Sequence, residues 1–264
     1  MICHKRHALS NESFINPSNY LFLMKDYTEL VEKVINKADI ILMVLDARKA
    51  RESINTEAEA RIKRKNKKLI YVINKCDLVP KNEIERLNLP NSVRISALRH
   101  LGTTILLRKI NEIARGKDVV VGVVGFPNTG KSTLINALKG RKSAPTSPIS
   151  GFTKGLQKLR VSERIMMIDT PGVLPEKRVK GAILVAIGAV DADKLKDPEY
   201  GAVQLMKTLK GKIERHYGVE PKDDPYGTLE DIALEKKIIK KGGVADTERM
   251  AREIVRKWQR GEIR

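Results

Sequence analysis

The stretch GFPNTGKS, Gly125 to Ser132, constrains the fold more than any other feature of the chain. It fits the pattern G-x-x-x-x-G-K-[ST] and lies between an apolar run, Val119–Val124, and a helix pattern over Lys131–Leu138. That setting suits a phosphate loop. The glycines let backbone N–H groups wrap phosphate oxygens, the helix N-terminus adds positive potential, Lys131 supplies a charge to the outer phosphates, and Ser132 offers a ligand for Mg²⁺. Such a loop needs a sheet behind it. Apolar runs at Ile40–Leu45, Leu69–Ile73, Val93–Ser96 and Val119–Val124 alternate with helix patterns, and two further strands are expected near Leu156–Val161 and Arg164–Ile168. Because most of these runs are continuously apolar, they predict an α/β fold with a mostly parallel sheet covered on both faces.

Two more motifs carry chemistry. DTPG, Asp169 to Gly172, ends an apolar strand, where the carboxylate can hold Mg²⁺ through water and the Gly172 N–H can meet a γ-phosphate. VINKCD, Val72 to Asp77, ends another strand. There Asp77 can accept both the ring N–H and the exocyclic amine of guanine, whereas adenine would set a lone pair against a desolvated carboxylate. The Lys75 stem is placed to lie over the base plane, and the backbone of Ala97, in the stretch ISAL, to meet the base carbonyl. The order is unusual: the base-reading residues precede the phosphate loop by about fifty positions. A change of connectivity, with the chain beginning where another begins its middle, accommodates that order.

The 264 residues, 41% of them hydrophobic, are enough for a substantial core. Fifty-one Lys and Arg against 32 Asp and Glu give +19, which favours a polyanionic partner, RNA first. From Val173 onward there are 20 basic and 16 acidic residues, so +15 of that charge lies in the first 172. Cys3 and Cys76 have no zinc or redox spacing, and the simplest setting is a reducing cytoplasm. Cys3, His4 and His7 crowd a terminus without visible support and are taken as part of a flexible leader rather than a metal site. No apolar run reaches the length of a membrane span, so a soluble protein is expected. The expected organisation is a leader over 1–24, a nucleotide-binding domain over 25–175 and a small all-α domain over 176–264, with helix patterns at Val179–Val190, Tyr200–Tyr217, Leu229–Lys241 and Asp246–Arg260.

The ordered set VLDAR (Val44–Arg48), NKCD, ISAL, GFPNTGKSTLIN (Gly125–Asn136), SGFTKG (Ser150–Gly155) and DTPG resembles the circularly permuted GTPases of the YlqF/YawG type, which include nucleostemin-like proteins and act in maturation of the large ribosomal subunit. The last helix, in KGGVADTERMAREIVRKWQRGEI, resembles that family's C-terminal region. The resemblance implies a permuted P-loop GTPase fold. Its implied nucleotide contacts are Asn74, Lys75, Asp77, Ser96, Ala97, Gly125, Asn128, Thr129, Gly130, Lys131, Ser132, Thr133 and Gly172. Mg²⁺ falls to Ser132, Thr153 and Asp169, with Thr153 as the switch threonine, and Lys131, Thr153, Gly172 and Asn128 are the residues implied for hydrolysis.

Val173 follows DTPG where many GTPases place a water-orienting glutamine, and the position of the histidine used by some bacterial relatives falls at about Leu23. Slow intrinsic turnover is therefore expected, raised by a partner or by K⁺. Asn128 resembles a potassium-holding asparagine, and an ordinary turn-forming role is the alternative. DTPG leads directly into the C-terminal helices, which makes a GTP-gated surface the expectation.

Two basic groups, Arg249, Arg252, Arg256 and Arg260 on the last helix and Arg61, Lys63, Arg64, Lys65, Lys67 and Lys68, are either ribosomal RNA contacts or solvated faces. The reading is a monomeric GTPase that binds GTP and GDP and holds a large-subunit precursor and its rRNA until hydrolysis. A GTP-gated scaffold with negligible turnover is the second reading, and a GTPase on an anionic membrane surface the third.

Overall fold

The computed structural model describes residues 29–139, 157–169, 185–186, 188 and 192–263. The leader, the SGFTKG stretch with Thr153, and Thr170 to Val173, including Gly172, lie outside the described residues. The described residues fall into two compact units, one built on 29–139 and 157–169 with Gly188, the other on 185–186 and 192–263.

The first unit is a six-stranded sheet. Its strands are β1 (Ile40–Asp46), β2 (Lys68–Asn74), β3 (Ser92–Arg94), β4 (Val119–Val124), β5 (Gln157–Arg160) and β6 (Ile165–Asp169). They lie in the order β3-β2-β1-β4-β6-β5, parallel except for the antiparallel edge pair β5–β6. Around the strands run α1, whose described part is 29–37, α2 (Thr56–Arg64), α3 (Lys81–Glu85), α4 (Thr103–Ala114) and α5 (Lys131–Lys139).

The continuous apolar runs are explained by two buried faces. In β1, Ile40, Leu42 and Val44 join a core with Ile70 and Val72 of β2, Val121 and Val123 of β4, Leu106 and Ile110 of α4 and Leu134 and Ile135 of α5. The alternate residues Ile41, Met43 and Leu45 face the other way, against Val31, Val34 and Ile35 of α1 and Ala58 and Ile62 of α2. Period two thus places every second side chain in a different core, and no face of the central strands is left for water.

The order also fixes where a ligand can sit. The chain builds β1, β2 and β3 outward in one direction, then returns so that β4 pairs on the other side of β1. The sheet therefore reverses its direction of growth between β1 and β4, and ligands of open α/β sheets bind beyond the carboxyl ends of the strands at such a point. The GFPNTGKS loop begins directly after β4.

The second unit is helical: α6 (Pro198–Leu209), α7 (Lys212–Tyr217), α8 (Pro225–Glu235) and α9 (Thr247–Arg260). Asp197, Asp224 and Asp246 cap three of these helices by accepting from the N–H groups of Tyr200, Tyr226 and Arg249, and Pro198 and Pro225 follow as ready-made first helical residues. The single helix expected over Tyr200–Tyr217 is in fact two. Lys210 and Gly211 both take left-handed backbone, with φ of 46° and 81°, which ends α6 and restarts the chain as α7. Apolar periodicity runs through the break and conceals it. Met250, Ala251, Ile254, Val255 and Trp258 of α9 are buried, and the Trp258 indole donates to the Ala186 carbonyl at 2.7 Å. Among the described residues no helix is long and apolar enough to cross a membrane.

Candidate functional site

The carboxyl ends of the parallel strands gather the motif residues. Asp46 ends β1, Asn74 ends β2 and Asp169 ends β6, and their registers pair Asp46 with Asn74 and Asp169 with Val123 of β4. Three segments far apart in sequence meet at one side chain. Asn74 donates from Nδ2 to the Thr129 carbonyl at 2.8 Å, and its Oδ1 accepts from the Ala97 N–H at 3.0 Å. Asn74, Ala97 and Thr129 are all almost wholly buried. The NKCD loop, the ISAL loop and the phosphate loop are thereby locked together across 23 and 55 positions of sequence.

The same contacts refine the expectations for single residues. Asn74 is a clasp between loops, and the Ala97 N–H expected for the base carbonyl already donates to it. Ser96 is buried and closes its loop by exchanging backbone hydrogen bonds with Leu101. The Thr129 hydroxyl donates to the Phe126 carbonyl at 2.8 Å, an internal tie of the phosphate loop. Lys75 takes left-handed backbone, φ 61°, at the turn into Cys76–Leu78, and Asp77 lies in that turn.

Within the phosphate loop, two glycines are required by geometry. A Cβ on Gly125, φ 149°, would come within 2.5 Å of the Val44 carbonyl oxygen, and one on Gly130, φ 94°, within 2.2 Å of Asn74 Nδ2. Lys131 is buried at the start of α5 and donates from Nζ to the carbonyls of Gly125 and Phe126, at 2.9 and 2.7 Å. Burial draws its ammonium down to about 8, while the nearby negative charge of Asp169 opposes that shift. Ser132 and Thr133 are exposed in the first turn of α5. Asn128 has left-handed backbone, φ 58°, and its Nδ2 donates to the Gly188 carbonyl at 2.7 Å. Its turn-forming role is therefore visible.

A charge network surrounds Lys75, the lysine expected over the base. The Asp46 carboxylate, 1% exposed, accepts from Arg48 Nε and Nη2 at 2.9 and 2.7 Å and pairs with Lys75 Nζ at 2.8 Å. Burial raises the Asp46 carboxyl, but the bond and charge of Arg48 and the charge of Lys75 outweigh it and hold the group below its ordinary value. Burial likewise lowers the Lys75 ammonium against the attraction of Asp46. The Asp46 backbone N–H also donates to Ser53 at 3.1 Å. Asp77 pairs with Arg99, Nε to Oδ2 at 3.1 Å. Sequence reasoning assigned no role to Asp46, Arg48 or Arg99. A charged residue closing an apolar strand beside NKCD was the available signal for Asp46, and nothing in the sequence signalled Arg99.

The basic groups are less open than their composition suggests. In and just after α2, Arg61 pairs with Glu57 and Glu32, an exposed Lys63 with Glu59, and Lys65 with Glu32, and Lys67 donates to the Asn36 carbonyl at 3.4 Å, while Arg64 and Lys68, the first residue of β2, are also exposed. On α9, Arg252 donates to the carbonyls of Ala192 and Asp193 and pairs with Glu248, and Arg256 pairs with Asp193. Two of the four arginines in the expected row therefore grip the turn Ala192–Lys194, while Arg249 and Arg260 stay exposed, Arg260 within 3.9 Å of Glu262. Among the described residues no cluster of three or more His, Cys, Asp and Glu side chains is arranged for a metal.

A family model described as a 50S ribosome-binding GTPase matches residues 120–199. An uncharacterised GTP-binding protein of Methanocaldococcus jannaschii is 38% identical over 245 residues, covering 89% of this chain and 65% of its own. Nucleolar GTP-binding protein 2 of Saccharomyces cerevisiae is 33% identical over 247 residues, covering 88% of this chain and 51% of its own. The chain thus spans less than two thirds of either curated relative. The crystal structure of GNP-bound YlqF from T. maritima superimposes with a TM-score of 0.64 at 22% identity, over 90% of this chain and 94% of that one.

Proposed function

We propose that this chain is a circularly permuted GTP-binding protein of the YlqF type, that it binds GTP and hydrolyses it to GDP and phosphate, and that it acts in assembly of the large ribosomal subunit; the likenesses to GTP-binding relatives and the shared fold support the reading. The observation that carries the reading is the Asn74 clasp, which ties the NKCD, ISAL and GFPNTGKS loops together at one end of one sheet. In that arrangement Asp77 selects guanine by accepting from its N–H edge, Lys75 covers the base from a position fixed by Asp46, and Lys131 leaves the loop carbonyls for the outer phosphates. The donor set suits Mg²⁺. Ser132 in the first turn of α5 and Asp169 at the end of β6, the strand paired with β4, offer hard oxygen donors that would hold the ion, and Thr153 would complete the set. Bound there, the ion would neutralise charge developing on the phosphates.

Turnover should be slow alone, because Val173 supplies no polar group at the position where a water-orienting glutamine is often found. Asn128, Thr153 and Gly172 are assigned to the hydrolytic step, with K⁺ as a second cation beside Asn128. Arg64, Lys68, Arg249 and Arg260 are exposed cations assigned to rRNA phosphates, and the step from DTPG into the C-terminal residues would let hydrolysis end subunit binding. The same Val173 favours a second reading, a GTP-gated scaffold that hydrolyses nothing at a useful rate. Single-turnover hydrolysis in K⁺ and in Na⁺, with and without purified large subunits from the same source, separates the two. Strong stimulation by subunits is expected. Tight GTP binding with no turnover in any condition would leave the scaffold.

A further inference from the structure

We infer that Arg99 is an internal competitor for guanine: its guanidinium occupies the carboxylate that reads the base, so that nucleotide binding exchanges one guanidine for another on Asp77. This rests on the assignment of Asp77 to guanine made above. The edge of guanine that Asp77 would read consists of a ring N–H and an exocyclic amine on one carbon, which is a cyclic guanidine. An arginine side chain presents the same kind of donor edge with a full positive charge. Arg99 Nε lies 3.1 Å from Asp77 Oδ2, and the Asp77 side chain is only 13% exposed. A base accepted through both oxygens needs the atom that Arg99 holds.

The loop geometry makes the competition persistent. Ser96 and Leu101 exchange backbone hydrogen bonds at 3.0 Å each, the Arg99 N–H donates to Ser96 Oγ at 3.4 Å, and the Ala97 N–H in the same loop is tied to Asn74. Arg99 is therefore carried on a closed loop anchored to the base-reading strand end and does not drift from Asp77 when nucleotide leaves. Its own side chain is 57% exposed, so the pair is weak enough to yield to a base and is screened by salt. The consequence is a site that binds guanine nucleotide less tightly than its contacts allow and releases it without help.

The test is an equilibrium fluorescence titration of mant-GDP into the whole protein, comparing wild type with Arg99→Ala and Arg99→Gln at low and high ionic strength. Removing the competitor should tighten binding by about two- to fivefold at low salt, the range open to an exposed ion pair, with the difference shrinking at high salt. In an Asp77→Asn background titrated with mant-XDP, Arg99→Ala should have no effect, because its partner carboxylate is gone. Unchanged or weaker mant-GDP binding by both Arg99 variants, with wild type binding normally, overturns the inference alone. Failure of wild type and variants alike to bind mant-GDP overturns the guanine assignment as well. A tightening that persists in the Asp77→Asn background would show that Arg99 acts elsewhere and would also overturn it.

Discussion

Asn74 shows how one side chain can hold a permuted site together. Its carboxamide joins two loops that no local propensity relates, and its neighbour Gly130 is a glycine because a Cβ would strike it. Asn74→Ala should lower stability by about 2–4 kcal/mol, since it strands a buried carbonyl and a buried N–H, and should weaken GTP binding in parallel. Chemical denaturation and nucleotide titration check the two effects. Asp77→Asn should leave the fold intact, weaken GTP binding by about 100-fold or more and turn preference toward xanthosine triphosphate. Unchanged guanine preference would remove Asp77 from the base site. Asp46→Asn breaks a buried pair and should cost about 3–5 kcal/mol at neutral pH. The Asp46 carboxyl is held below its ordinary value of 3.8, so its stabilising contribution is complete above that value and is lost as pH falls through the lower folded value. The gap between wild type and variant should therefore be constant above about pH 5 and close in strong acid, as followed by denaturation at stepped pH. That the motif residues gather at the strand ends was legible, because GFPNTGKS, NKCD and DTPG each follow an apolar strand in the sequence. The pairs Asp46–Lys75 and Asp77–Arg99 were not, because nothing in a linear pattern says which charges meet across loops.

At the scale of elements, apolar periodicity placed the strands of the sheet within a few residues, and it failed where backbone conformation rather than burial decides. The break at Lys210 and Gly211 leaves the apolar stripe intact, and β3 ends at Arg94, short of its apolar run, because Ser96 pairs within its own loop with Leu101 while Ile95 still bonds Ile73 and Cys76. The caps were equally silent as a pattern, though Asp197-Pro198 and Asp224-Pro225 mark helix starts once recognised. Asp246→Ala should destabilise the helical unit by about 1 kcal/mol through loss of the α9 cap, measurable by thermal or chemical unfolding. The charge pattern on α9 divides in the structure. Arg252 and Arg256 hold the turn Ala192–Lys194, so Arg252→Ala should lower stability with little effect on binding to ribosomal RNA. Arg249→Ala should do the reverse, weakening RNA binding and its salt dependence while leaving the unfolding midpoint unchanged. Equal effects of the two on RNA affinity would argue that the arginine row acts as one surface.

At the scale of the molecule, the permutation leaves the sheet unaltered and changes only the path through it. The order β3-β2-β1-β4-β6-β5 keeps the GFPNTGKS loop at the reversal between β1 and β4, and the NKCD loop, proposed to read guanine, stands two strands away whichever is written first. That much followed from motif order together with the rule that spatial neighbours need not be neighbours in sequence. Motifs written in an unusual order are thus proposed to build one guanine-selective nucleotide site. Calorimetric titration of the whole protein with GTP and with ATP, each with Mg²⁺, tests it most directly. GTP should bind at one site with a preference over ATP of about 100-fold or more. Equal affinity for the two nucleotides, or no binding of either, would contradict the account.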